Sequence, residues 1–509
     1  MSRFPAGAEG RAAAMSEEGG SGWRRALRAV GDALAGRPRD YTAGSMSGSL
    51  LLLAIPMVIE MSMESLFALV DIWWVAQIPR APGSDADPVA VVGTTESLLS
   101  ILYALAMGIS MAAAATVARR IGEKDRDGAA VAAVQGVAMA TAIAIVLGVA
   151  GWFFSDHLLA LMGARPETIE QHGGYAAVMF GGNATVMLLF VLNSVFRSAG
   201  DAAIAMRVLL LANGLNLVLD PCLIFGWGPF PEMGVTGAAV ATNIGRGVGV
   251  VYQLWQIGRA GRQFQVAPRH WRIVREVVAP MVARAWTGAF QSLVMTTSWV
   301  GLVKVLSRYG ESAVAGYTIG IRVVIFGLLP SWGIASAAAA MVGQSLGAKD
   351  PARAESAVWL AARWNLVVLS AVGAFFFFGA PWIVTFFTDP ADAPAVAENA
   401  IACLRLIAVG FPFFAFGMCF SQAFNGAGDP WTPTWINLAC FWLVEQPLAR
   451  LLAGGVLLYP DALAVGAAAS VPTVLGPSGV YWAISAAFAL FAVVAGVLFR
   501  RGKWKTQVV

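Results

Sequence analysis

Charge is what this sequence has least of. Only 13% of its 509 residues are Asp, Glu, Lys or Arg, against 58% hydrophobic, whereas soluble domains carry about 25% charged and roughly 45–50% apolar residues. With a mean hydropathy of +0.69, too little polar surface remains to cover a water-soluble core. Histidine is scarcer still: the 3 present, His157, His172 and His270, sit near joints and far apart, with no catalytic company. The 4 cysteines, Cys222, Cys403, Cys419 and Cys440, lie in apolar runs without a CxxC, so they predict neither a disulfide framework nor a zinc site but small buried hydrophobes. No Walker motif is present to bind ATP. The glycine run Gly245–Gly249 follows no strand, so it is not a dinucleotide loop. The formal net charge of +4 is spread over loop ends and forms no nucleic-acid patch. These gaps exclude a soluble enzyme, an ATP-driven pump and a nucleic-acid binder.

What is abundant is apolar sequence in lengths that cross a bilayer, about 20 residues each. Spans are expected at 48–78, 90–120, 129–154, 168–197, 205–227, 235–257, 274–306, 312–346, 354–387, 395–425, 432–458 and 475–499. Lys and Arg gather in the N-terminal tail, around Arg119–Arg126, from Arg259 to Arg275, at Lys349 and Arg353, and at Arg500–Lys505. All are even-numbered joints, so the positive-inside rule places both termini in the cytoplasm, against the vote of Lys304 and Arg308. The opening residues lack the apolar core and cleavage site of a secretory signal. Within that tail Trp23, Leu27, Val30 and Leu34 recur at helical spacing opposite Arg24, Arg25 and Arg28, which suits either a surface-lying helix or a disordered tail.

An internal repeat organises the chain. Gly108–Asp125 (GISMAAAATVARRIGEKD) and Gly333–Asp350 (GIASAAAAMVGQSLGAKD) share ten of eighteen residues at an offset of 225. At similar offsets Ala54–Met57 meets Val278–Met281, Phe196–Asp201 meets Phe424–Asp429, and Gly234-x-x-Gly237 meets Gly476-x-x-Gly479. The expected fold is therefore all-α and membrane-integral, with twelve transmembrane helices in two parallel six-helix lobes. Because six is even, the lobes should be related by a pseudo-two-fold axis along the membrane normal. The divisions are a cytoplasmic tail 1–47, an N-lobe 48–257, a linker 258–273, a C-lobe 274–499 and a tail 500–509. Two parallel lobes enclose a cleft suited to alternating access.

An ionisable group at mid-bilayer costs about 2.5–3.5 kcal/mol or more, so each is by default a functional candidate. Glu60, Glu64 and Asp71 share one face of the first span, and Asn213, Asn216 and Asp220 share one face of the fifth. Two carboxylates, an amide and a hydroxyl such as that of Thr242 suit a small bare cation or a shared proton. The second half lacks this set, since Asp71 aligns with Met295 and the Asp220-Pro221 step becomes Gln446-Pro447. It offers instead Arg284, Gln291, Arg322 and Glu445 among aromatic residues, which fill membrane helices and can also hold a lipophilic cation. The repeat pairs Glu60 with Arg284, and these two are expected to meet across the cleft as a latch.

Together LVDIWWVAQ at the end of the first span, the ARRIGEKD joint, FRSAGD, NLVLDPCLIFG followed by GVTGAAVAT, and GQSLGAKDPARA resemble the multidrug and toxic compound extrusion (MATE) transporters over about 46–500. The resemblance implies export of cationic or amphipathic compounds, drugs or toxins among them, by antiport with inward protons or sodium, without a cofactor and without a metal beyond sodium at the coupling site. It places the coupling site on Asp71, Asn216, Asp220 and Thr242, with Asn193 a weaker member. Acidic positions of one branch in the seventh and tenth spans correspond here to Gln291 and about Phe414, so the N-lobe-coupled, DinF-like type is favoured. Glu60, Glu64, Arg284, Gln291 and Glu445 are left as residues of the cleft or lobe latch. The expected setting is the cell inner membrane, as a monomer among lipids with a small-molecule substrate. Arg284 and Arg322 keep a flippase for a lipid-linked saccharide as the alternative.

Overall fold

A computed structural model describes residues 30, 31, 34, 36, 41, 42, 44–79, 88–259, 264–454 and 474–507, with the side chains of 65–69 left aside. Trp23, Arg24, Arg25, Leu27 and Arg28 of the N-terminal tail lie outside the described residues. The chain runs through α1 (Met46–Ala76), α2 (Pro88–Gly122), α3 (Arg126–Leu161), α4 (Pro166–His172), α5 (Gly174–Gly181), α6 (Asn183–Ser198), α7 (Ala202–Ile224) and α8 (Val235–Gly258). It continues through α9 (Arg275–Leu306), α10 (Glu311–Gly347), α11 (Pro351–Thr385), α12 (Pro394–Ala408), α13 (Phe411–Ala427), α14 (Trp431–Asn437), α15 (Gln446–Gly454) and α16 (Pro477–Arg500). Among the described residues eight helices are long and apolar enough to cross a membrane, or ten if each of two bent pairs is one span. The segments at 235–258 and 431–454 are not among them.

Three expected spans are not simple rods. The fourth breaks between α5 and α6, bent by 42°, at Gly182, where a Cβ would lie 2.2 Å from the Asn243 amide oxygen. The tenth bends by 56° between α12 and α13, just ahead of Pro412, whose missing N–H and ring suit a helix start but not a helix interior. The eleventh carries a π-helical stretch, Leu438–Glu445, between α14 and α15. Such stretches are rare and often mark functional sites. Pro56, Pro221, Pro280 and Pro330 lie inside α1, α7, α9 and α10.

The repeat is visible in the backbone. Lys124 and Lys349 both take left-handed φ, 61° and 60°, and the aspartate after each caps the next helix. Asp125 accepts from the Gly128 N–H at 2.8 Å and Asp350 from the Arg353 N–H at 2.9 Å. Gly234 and Gly476, each before an equivalent helix, match at φ 55° and 58°, a region a side chain rarely enters.

The two largest cores cross the lobe boundary, one joining Leu50, Leu53 and Met57 of α1 to the C-lobe and the other Met281 and Ala285 of α9 to the N-lobe, and the lobes meet through α1 on α10 and α2 on α9 and α10. The contacts are near backbone to backbone. Gly108 of α2 lies against Ala285 and Ala289 of α9, and its repeat partner Gly333 of α10 lies against Met57 and Val58 of α1. At the end bearing the basic joints, Gly122 faces the Gln344 carbonyl while Gly347 faces that of Arg119. Gln344 Nε2 donates to Ser198 O at 2.8 Å and Tyr41 Oη to Gly200 O at 3.1 Å, which adds polar ties to this crossing. The lobes are thus interlocked at that end.

Candidate functional site

Asp71 stands near the end of α1, Asn216 and Asp220 on successive turns of α7, and Thr242 on α8. The packing of α1 and α8 on α7 brings all four together. Asn216 Nδ2 donates to Asp220 Oδ1 at 3.0 Å and to Thr242 Oγ1 at 3.1 Å. The Asp71 and Asp220 carboxyls meet at hydrogen-bonding distance. Asp220 is fully buried, and Asp71 Oδ1 and Asp220 Oδ2 are shielded from solvent without a hydrogen-bond donor. Two carboxylates so placed have one donor, Asn216, between them. A proton shared by the pair, or a small cation on the free oxygens, completes the set.

Around this pair lie further charged groups, of which the sequence reading did not single out Arg246 and Glu96. Arg246 of α8, in the glycine run set aside as a coincidence, has Asp71 and Glu64 as charged neighbours and the Tyr103 hydroxyl within hydrogen-bond reach. Its signal was present, since a lone arginine inside an apolar span is as costly as a lone acid. Glu96 of α2 is exposed and interacts with Asp71 and Arg246 of its own lobe and with Arg322 of α10 in the other. Glu64 is likewise exposed and neighbours Arg246 and Arg197. The surroundings of the pair therefore carry both signs: Glu64, Asp71, Glu96 and Asp220 against Arg246, with Arg322 from the other lobe.

Several expected members lie elsewhere. Asn193 belongs to a different contact, its Oδ1 accepting from Gln253 Nε2 at 2.6 Å. Glu60 does not meet Arg284: its Oε1 accepts from Arg197 Nη1 at 2.7 Å, wholly within the N-lobe. Arg197, on α6, stands beside the Glu60 face of α1, and a repeat alignment cannot reveal such a neighbour. Arg284 lies near Arg119 on the neighbouring α2. Gln291 is half-buried on α9, with its Oε1 shielded and unpaired. Glu445 does not line the cleft at all; at 1% exposure it is buried in the C-lobe.

The family description MatE matches residues 56–222 and 289–451. A FAD transporter of Shewanella oneidensis is 26% identical over 410 residues, covering 79% of this chain and 87% of that protein. A probable multidrug resistance protein of Thermotoga maritima, NorM, is 27% identical over 409 residues, covering 79% and 85%. Among solved structures, a MATE protein in complex with MaL6 superposes with a TM-score of 0.81 at 26% identity, covering 91% of this chain and 97% of its own. A Pyrococcus furiosus transporter of the MOP superfamily, described as having reversed polarity of the binding pocket, superposes equally well, at 0.81 and 26% identity over 92% and 98%.

Proposed function

The chain belongs to the MatE family of membrane transporters, and from that premise we propose that it is a secondary active exporter of cationic or amphipathic compounds, driven by antiport with protons or sodium. It is a transporter and not an enzyme. The observation that carries the reading is the Asp71–Asp220 pair, two carboxyls in contact with free oxygens and one amide donor. In this reading Asp71, Asn216, Asp220 and Thr242 hold the coupling ion, in keeping with the N-lobe-coupled type.

The fold supports a route from ion to cleft. α1 carries Asp71 at one end, packs on α7 through the ion site, and packs on α10 of the other lobe where Gly333 meets Met57 and Val58. With the ion gone, two unit charges about 4 Å apart repel by about 4 kcal/mol at an effective dielectric near 20. That is a bias of about a thousandfold on any two-state equilibrium in which the separation of α1 from α7 differs. With the basic joints and both termini in the cytoplasm, the Gly122 and Gly347 crossing seals the cytoplasmic side of a protein with twelve spans. Loading the site with an ion lowers that repulsion, so the two lobe arrangements bind the ion, and hence the substrate, with different affinity.

A second reading, a lipid-linked saccharide flippase, draws on Arg246 and on Arg322 near Glu96, cations suited to a phosphate. Efflux from vesicles with a pH gradient or a sodium gradient imposed one at a time separates the cases. Export of cationic dye under either gradient supports the exporter and names its ion. Failure of both, with extraction of labelled lipid, favours the flippase.

A further inference from the structure

Glu445 ends the π-helical stretch Leu438–Glu445 in the C-lobe, far from the ion pair just described and outside the set proposed to couple transport. It is 1% exposed, and neither Oε1 nor Oε2 accepts a hydrogen bond. A carboxylate taken wholly out of water without a donor or counter-ion is among the most costly groups a fold can carry. Ser298 of α9 does not relieve it: its hydroxyl proton is donated to Phe441 O at 2.9 Å, and its Oγ accepts from Gln446 Nε2 at 3.2 Å. A carboxyl buried without a donor or a counter-ion is held most cheaply in the neutral form, with the proton on it.

The surroundings agree. The groups that act electrostatically around Glu445 are the hydroxyl of Tyr317 on α10 and the thiol of Cys440 on its own stretch, with Tyr481 of α16 and Cys403 of α12 behind Tyr317. All four are neutral in their ordinary form. The Tyr317 and Tyr481 rings stack at 6.4 Å with 4° between planes, and both hydroxyls are buried without a partner. Two unsatisfied hydroxyls near one unsatisfied carboxyl form an interior poised to hydrogen-bond an anion once rotamers shift. The π stretch is the element whose backbone register such a shift can alter.

We propose that Glu445 is a second proton-binding site, in the C-lobe, occupied in this conformation and emptied when the π stretch rearranges toward Tyr317 and Tyr481. The site binds a proton and no larger cation, because one carboxyl beside tyrosines and cysteines lacks the several oxygens a metal ion needs.

The test is infrared difference spectroscopy of the full-length protein in lipid on a pH step. The wild type is expected to show the C=O stretch of a protonated, weakly hydrogen-bonded carboxyl that persists in Asp71→Asn and Asp220→Asn and is lost in Glu445→Gln. Glu445→Gln copies the neutral acid in shape, so it should fold. Tyr317→Phe, which leaves the carboxyl in place, should keep the band and change the pH at which it bleaches. A wild-type spectrum without that band, or a band unaltered in Glu445→Gln, overturns the proposal. Loss of the band in Asp71→Asn overturns it as well, by assigning the signal to the N-lobe, so failure here is distinct from failure of the N-lobe reading.

Discussion

Replacing Gly122 with alanine should open the lobe crossing. A Cβ there would stand 2.0 Å from the Gln344 carbonyl oxygen, well over 1 Å inside ordinary contact, and the offending atom is backbone on a helix that cannot swing aside. Overpacking of this kind costs typically about 1–3 kcal/mol, which at about 1.4 kcal/mol per factor of ten lowers the interlocked population by roughly 5- to 150-fold. Gly347→Ala meets the Arg119 carbonyl at 2.2 Å and the Gly122 Cα at 3.0 Å. The two changes relieve themselves by the same separation, so the double variant should cost less than the sum. Spin labels at the exposed positions Arg126 and Ala352 report the distance between the lobes at this end. The wild type should show one short distance and Gly122→Ala a longer one at the expense of the first. An unchanged distance distribution in a folded Gly122→Ala protein would refute the idea that this crossing seals one side.

Arg197→Ala leaves Glu60 buried without its partner, which should cost about 3–5 kcal/mol and lower the melting temperature in detergent, whereas Glu60→Gln with Arg197→Met should recover most of it. Removing either repeat cap, Asp125→Ala or Asp350→Ala, should destabilise by about 0.5–2 kcal/mol, with the two losses adding because the caps serve different helices; equal melting curves would count against them. Asn193→Ala should leave transport coupling intact while lowering stability, since its partner is Gln253 and not the aspartate pair.

Fold class and repeat were legible because each is a local or periodic signal. Apolar length names the spans. Four-residue spacing places Asn216 and Asp220 on one face, whereas their grouping with Asp71 and Thr242 came from the resemblance to the MATE transporters. The Glu60 to Arg284 latch was misread because alignment of repeats gives equivalent depth and not partnership; Arg197, inside the repeated Phe196–Asp201 segment, pairs with Glu60 from within the same lobe. Asn193 likewise, on α6, pairs with Gln253 of α8 and not with the aspartates. The break at Gly182 depends on Asn243 packed from α8, whereas the one ahead of Pro412 has a local signal in that proline. Arg246 has one too, as a lone arginine inside an apolar span, but its partner Asp71, like Arg322 for Glu96, comes from elsewhere in the chain.

The central claim, that Asp71 and Asp220 jointly hold the coupling ion, is tested most directly by gradient-driven efflux from vesicles of Asp71→Asn and of Asp220→Asn, with substrate binding measured on the same preparations. Each asparagine keeps the size and hydrogen-bonding capacity of the aspartate and removes its charge and titration. The account predicts that both variants insert and bind substrate but lose gradient-driven export, and that the double variant is no worse than either alone. Normal export by both single variants under the gradient that drives the wild type would contradict it.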